Sequence, residues 1–256
     1  MELFMRENVE DTKNLRIAML IDGDNAQATL INNILAETGK YGVVTIRRIY
    51  GDWTTANMNG WKDTLQTNAI QPIQQFRYTI GKNATDSAMI IDAMDILYEG
   101  IVDGFCLVSS DSDYTRLATR IREKGFFVMG IGKKNTPRAF VNACDVFVYT
   151  ENLLPEANRP KPSVSVKTSG TQKTPTPSSE PLTLLKEAFE LAVQDNGWAF
   201  LGAIGNHLRQ LDPGFDARTY GYRQLSTLIQ AYPDSFLYKE VKRKDGTVII
   251  SVKTKE

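Results

Sequence analysis

From Leu15 to Leu154, short apolar runs alternate with longer stretches whose apolar residues recur at helical spacing. LRIAMLID, VVTIRRIY, IQPIQQF, GFCLVSS, FFVMGIG and DVFVYT are rich in β-branched and aromatic side chains and read as strands. Between them, AQATLINNILAETGK, NMNGWKDTLQTN, TDSAMIIDAMDILYEG and SDYTRLATRIREKG read as helices that tend to end at Gly or Asn. Such alternation predicts an α/β domain with a mostly parallel sheet covered on both faces. The pattern breaks at PEANRPKPSVSVKTSGTQKTPTPSSEP, where Pro, Ser, Thr and Lys replace nearly all large apolar residues and nothing offsets the entropy of an ordered backbone. The chain therefore divides into a tail (1–14), an α/β domain (15–154), a flexible linker (155–181) and a second domain (182–254). The second domain shows three helical patterns and then two strand-like runs, FLYKEV and TVIISV, joined across KDG. That is the plan of a small winged-helix-like domain.

Charge changes the picture only locally. Lys plus Arg and Asp plus Glu are equal at 30 each, so the chain is not a binder of nucleic acid by bulk charge. Two cysteines, Cys106 and Cys144, both in apolar stretches, form neither a zinc cluster nor a disulfide framework and suit a reducing cytoplasm as buried thiols. No stretch approaches the roughly 18 apolar residues of a spanning helix, and charges interrupt the first residues before a signal-peptide core forms, so no membrane partner is expected. A cytoplasmic protein is the expectation.

The candidate chemistry lies where strands end. In open parallel sheets, ligands gather beyond the carboxyl ends of the strands. The first strand runs into Asp22, Gly23, Asp24 and Asn25, and FCLVSS runs into Asp111, Ser112 and Asp113. Asp86 lies in the first turn of the helix TDSAMIID, where the helix dipole favours an anion. Any one of these acids alone is as readily a turn former or cap. Together, Asp22, Asp86, Asp111 and Asp113 would repel strongly unless a divalent cation neutralised them, and hard oxygen ligands suit Mg2+ or Mn2+. Asn25 either caps the next helix or steadies the carboxylate of Asp22. Asp92 and Asp95 rotate about 120° and 180° away from Asp86 on their helix and are expected to be structural or solvated, with a secondary contact to the site left open for Asp92. Near this edge, Arg47, Arg48, Arg77 and Lys82 are candidate phosphate contacts and Trp53 a candidate stacking surface, although strand-face and core roles suit Arg47, Arg48 and Trp53 as well. Thr136 and Pro137 read as a helix cap and first turn.

IDGDN, IYGDW, GKNATDSAMIIDAMD, LVSSDSDYTRLATRIREKG and TPRAFVNACDVFVYT, in this order, resemble the NYN domain of the LabA-like group, a branch of the PIN-like ribonuclease fold. The resemblance implies a three-layer α/β/α domain and a Mg2+- or Mn2+-dependent nuclease site. In it Asp22, Asp86, Asp111 and Asp113 bind metal and Asn25 is their polar neighbour, while Asp24 departs from the common pattern. The second half resembles a LOTUS or OST-HTH domain through an aromatic after Gly197, the stretch FDARTYGYRQLSTLI opening the third helix, and the apolar hairpin. That resemblance implies RNA or protein contact through Arg218, Tyr220, Tyr222 and Arg223, and less strongly through Lys242, Arg243 and Lys244.

The reading is a metal-dependent ribonuclease with a tethered domain that binds RNA or a protein partner. RNA is the expected substrate, single-stranded or structured; the residues do not separate it from DNA. By analogy the PIN-like domain also admits a homodimer. One rival keeps the fold as a catalytically inactive RNA-binding or regulatory adaptor. Another, a phosphatase using Asp22 and Asp24, lacks the Thr or Val that usually follows the second Asp. The only histidine, His207, lies in the second half, so a histidine-pair ribonuclease is disfavoured.

Overall fold

Six strands pair side by side in the order β3-β2-β1-β4-β5-β6, all parallel. They are β1 (Leu15–Asp22), β2 (Gly42–Gly51), β3 (Gln71–Gln74), β4 (Gly104–Val108), β5 (Phe127–Gly132) and β6 (Val146–Tyr149). The computed structural model of the chain describes residues 15–76, 84–154, 180–242 and 248–255. These fall into two compact units, one within 15–154 and one within 180–255. The expected linker lies almost wholly outside the described residues. Helix α6 (Glu180–Ala192) already begins inside its last two positions, with Pro181 in the first turn, where a missing N–H costs nothing.

Strand alternation sorts the first unit into three layers. Ala18, Leu20, Tyr50, Phe105, Leu107, Val128 and Phe147 face one core, closed by α3 (Ala84–Glu99), α4 (Thr115–Glu123) and α5 (Arg138–Ala143). Ile17, Met19, Ile21, Ile49, Cys106, Val108, Met129 and Ile131 face the other, closed by α1 (Ile31–Thr38) and α2 (Lys62–Thr67). This is the α/β/α sandwich of the PIN-like fold. Because β1 and β4 are neighbours and the chain winds outwards from them in both directions, a crevice opens at their carboxyl ends. Both cysteines are buried and unpaired, and burial pushes the Cys106 thiol up to about 12.

Two local expectations change. Pro137 stands just before α5 rather than within it, and the Thr136 hydroxyl donates to the Lys133 carbonyl (2.6 Å) instead of capping the helix. The opposite ends of β1 and β4 are clamped by Asp103, which accepts from the Arg16 backbone N–H (2.8 Å) and from Nε and Nη2 of its guanidinium (3.0 and 2.9 Å).

The second unit holds α6, β7 (Ala199–Phe200), α7 (Leu201–Leu211), α8 (Leu225–Gln230), β8 (Phe236–Lys242) and β9 (Val248–Thr254). Its core gathers Leu185, Phe189, Ile204, Leu208, Leu228, Phe236 and Val252. The helices and hairpin match the sequence pattern, but β7 adds a third strand to give the order β7-β9-β8. The expected third helix is also broken. A 3-10 turn at Ala217–Tyr220 ends on Gly221, whose φ of +84° only glycine adopts freely, and α8 restarts from a capping box between Gln224 and Thr227.

The Arg16 guanidinium holds the Asp103 carboxyl down at about 2. A carboxyl depressed in the folded chain contributes stability above its unfolded value near 4, and that stability is lost as pH falls through the folded value. Asp103→Asn is therefore expected to lower the urea midpoint at pH 6, with the gap to the wild type narrowing as pH falls from about 4 towards 2 and closing only below it, as read by parallel denaturation curves.

Candidate metal centre

Asp22 is the last residue of β1 and in phase with Ala18 and Leu20, so it turns towards the α3–α5 layer, and it is fully buried. A buried carboxylate must be hydrogen-bonded. Its Oδ2 accepts from the Asn25 amide (2.6 Å) and the Ser109 hydroxyl (2.9 Å), and its Oδ1 from the Asp24 backbone N–H (3.1 Å). Burial raises its pKa above the ordinary carboxylate value; the Asn25, Ser109 and Asp24 N–H donors oppose the rise, and the Asp24 charge adds to it. Asn25 thus steadies Asp22 rather than capping α1. The turn that makes this possible requires Gly23, whose N–H bonds the Tyr50 carbonyl (2.9 Å); a Cβ there would lie 2.5 Å from Met58 Cε and 2.7 Å from that oxygen.

Ser109 follows β4 directly. Since Ile21 pairs with Val108, Ser109 arrives beside Asp22 by register alone. Its Oγ also accepts the Asp111 backbone N–H (3.1 Å). Asp111 caps the 3-10 turn Ser112–Tyr114, taking the Asp113 N–H on Oδ1 (2.9 Å), which turns both acids to one side. Tyr114, buried beneath them, donates its hydroxyl to Asp86 Oδ1 (2.8 Å) from the first turn of α3. Burial and then the charges of Asp22 and Asp86 push the Tyr114 phenol far up, so it remains a donor.

One oxygen from each of Asp86, Asp111 and Asp113 lies within 4.8 Å of the others. Asp22 stands outside this set of three, though its charge reaches Asp86. Burial first, then the charges of Asp22, Asp111 and Asp113, raise the Asp86 pKa, against the pull of the Tyr114 hydrogen bond. Three carboxylates of one sign, with acceptor capacity left on Asp86 after the Tyr114 hydroxyl and on Asp111 after the Asp113 N–H, fit a hard divalent cation. Sequence reasoning missed Ser109 and Tyr114. The strand register carries a signal for Ser109; nothing local marks Tyr114.

The expected nucleic-acid contacts fare differently. Arg47 lies in mid-strand opposite Met19 and donates to the Asn68 carbonyl (2.8 Å). Arg48 pairs with Asp92, which also accepts the Tyr50 hydroxyl, so Asp92 is structural, as expected. Trp53 stands half-buried after β2, its indole N–H donating to the Ile73 carbonyl (3.0 Å). In the second unit Arg218 is tied to Asp216 (2.6 Å), Tyr220 packs on Phe215 (5.7 Å between centroids), Tyr222 is half-buried against the core, and Arg223 is exposed. Arg77, Lys82, Arg243, Lys244 and the side chain of Lys242 lie outside the described residues.

The cluster sets a stability test. In chelator, Asp86→Asn is expected to raise the urea midpoint by removing one repelling charge. Mn2+ at a hundred times its Kd should raise the unfolding free energy of the wild type by about 2.7 kcal/mol and leave Asp111→Asn nearly unmoved. An equal response in both chains would take the ion away from these residues.

Among known proteins, the family model of the NYN domain matches residues 16–154, and that of the OST-HTH/LOTUS domain matches residues 172–247. No curated protein matches the chain. Similar solved structures include a protein of unknown function from Vibrio parahaemolyticus, 20% identical, covering 54% of this chain and 94% of its own, with a TM-score of 0.46. An uncharacterized protein from Nitrosomonas europaea is 34% identical, covering 37% of this chain and 90% of its own, with a TM-score of 0.28.

Proposed function

The chain belongs to the NYN domain family, a family of PIN-like nucleases, and carries an OST-HTH/LOTUS domain of the RNA-binding kind; from that premise we propose that it is a Mg2+- or Mn2+-dependent ribonuclease. The observation that carries the reading is the convergence of Asp86, Asp111 and Asp113, from two separate segments, at the carboxyl edge of the sheet.

In this reading Asp86, Asp111 and Asp113 hold the cation, and Asp22 completes the acidic wall. A bound divalent ion supplies a more acidic water and charge stabilisation for the leaving alkoxide. The chain's own residues do the positioning. Tyr114 fixes Asp86 by its hydroxyl, the Asp113 N–H fixes Asp111, and Ser109 joins the Asp111 backbone to Asp22, so the acids of β1 and β4 are held as one unit. Asn25 keeps Asp22 Oδ2 facing the cleft wall. The reducing cytoplasm is the compartment this reading assigns, since both thiols are free and buried.

The test is incubation of the full chain with labelled single-stranded RNA and DNA in Mg2+, in Mn2+ and in chelator. RNA cleavage should need the ion and fall at least about a hundredfold in Asp86→Asn and Asp111→Asn, because loss of a ligand exceeds the usual cost of disturbing its outer partners. Strands that stay intact yet bound under every condition would replace the nuclease with an adaptor; cleavage of DNA alone would replace the substrate.

A further inference from the structure

A second feature lies on the same sheet edge, away from the acids. The 3-10 turn Ala56–Trp61, α2 and β3 enclose a cavity of about 760 Å³, within the range of small-ligand sites. We propose that it is a nucleobase-binding subsite, which takes one base of the strand held at the carboxylate cluster; in that role it rests on the nuclease reading above.

Position comes first. Trp53 and Gln74 stand at the carboxyl ends of β2 and β3, as Asp22 and Ser109 do at those of β1 and β4. In the order β3-β2-β1-β4 Trp53 and Gln74 therefore stand one and two strand spacings, about 5 and 10 Å, along the edge from β1, while the cavity they border continues to Ala69 and Ile70 on the α1–α2 face of the sheet, the face opposite Asp22. A strand that leaves the acids over the ends of β1 and β2 meets Trp53 and Gln74 first.

Chemistry comes second. Buried Met58, Leu65 and Ile70 make an apolar floor, and the half-buried Trp53 ring stands at the wall. That ring is already immobilised. Its indole N–H is held by the Ile73 carbonyl, its backbone N–H by Gln74 Oε1 (3.0 Å), and Gln74 Nε2 is anchored on Asp52 Oδ1 (3.0 Å). With its N–H engaged, the indole offers a π surface, and little side-chain entropy is left to lose on stacking. Asn59 and Gln66, both exposed at the rim, bring amides that donate and accept, as base edges require, and exposed Lys62 brings a cation for an adjoining phosphate. No lining residue is acidic; the carboxylate behind the wall, buried Asp52, is engaged by Gln74 and by the Thr54 hydroxyl.

Backbone strain is concentrated at the same wall. Ala69 lines the cavity with φ +49°, the one non-glycine positive φ among the described residues. A side chain in this region is strained, and glycine would avoid the strain. The conformation is held by the Ile70 N–H on the Leu65 carbonyl (3.0 Å) and by Arg47 on the Asn68 carbonyl. Arg47 thus supports the wall of the subsite rather than a phosphate.

The test is photo-crosslinking of the full chain, in chelator, to a short single-stranded RNA carrying 5-iodouridine at one position at a time, with the adduct mapped by mass spectrometry. One position should crosslink to Trp53 or to the segment 58–70. Gln66→Trp, which fills the mouth from an exposed position, should weaken that adduct about tenfold, the equivalent of one lost base stack, while adducts in the second domain persist. Lys62→Ala, also exposed, should weaken it in the same direction without changing the thermal midpoint. Crosslinks confined to the second domain, or an adduct at Trp53 that Gln66→Trp leaves unchanged, would overturn the subsite. Cleavage is not needed for the signal. A chain that crosslinks here but never cuts keeps the subsite and loses the nuclease; a chain that cuts while the cavity stays unlabelled loses the subsite alone.

Discussion

A carboxylate buried at the end of the central strand is the constraint around which the first domain is arranged. Fully buried Asp22 is tolerable only because three donors meet it, and those donors dictate the local chain path. Two come from the turn that follows it, which forces Gly23 against Tyr50 and Met58. The third comes from Ser109, which reaches Asp22 only when β1 and β4 pair in the observed register. Shifting that register by one residue would turn Ser109 away and bring Val108 or Ser110 into its place. The same serine receives the Asp111 N–H, so the bond that satisfies Asp22 also orients the acidic turn.

The charges on α3 show how structure and site are separated. Asp92 is neutralised by Arg48 and receives the Tyr50 hydroxyl, an arrangement that ties α3 to β2 across one core. Asp86, about a turn and two thirds earlier, receives a neutral phenol instead, and among the described residues the charges that act on it are those of Asp22, Asp111 and Asp113. One carboxylate on this helix is therefore satisfied by the protein, and the other is left with a net like-charge field. That asymmetry places the need for a cation at the start of the helix and not along it.

How much of this was legible follows from the range of the interactions. The three layers were legible because strand alternation and helical spacing are local signals, and the cleft followed from where the acids stood relative to strand ends. Asp92 could be set aside by helical rotation alone. Ser109 and Tyr114 were not legible because their roles depend on partners 87 and 28 residues away. Arg47, Arg48 and Arg218 are cations that the sequence offers to a nucleic acid, yet each is tied within the fold. An arginine in a strand offers the same sequence signal whether its guanidinium meets solvent or a carbonyl. In the second domain FDARTYGYRQLSTLI reads as the opening of one helix, yet the positive φ at Gly221 and the extended backbone at Gln224 break it. The two-residue strand at Ala199–Phe200 is too short to carry a period.

The residues also limit which chemistry the cleft can perform. His207 is the only histidine and belongs to the second domain. Both thiols are buried with their pKa values raised, and the phenols of Tyr50 and Tyr114 are pushed up by burial and by neighbouring acids. At neutral pH neither the thiols nor these phenols provide a ready base or nucleophile. Asp22, Asp86, Asp111 and Asp113 gather carboxylates at the ends of β1 and β4 and the start of α3, and these repel a phosphodiester rather than attract it. A cation held among Asp86, Asp111 and Asp113 reverses that sign at the place where the strand must approach. The proposed subsite at Trp53, with the amides of Asn59 and Gln66 at its rim, would offer what the acids cannot, a surface on which a base can stack.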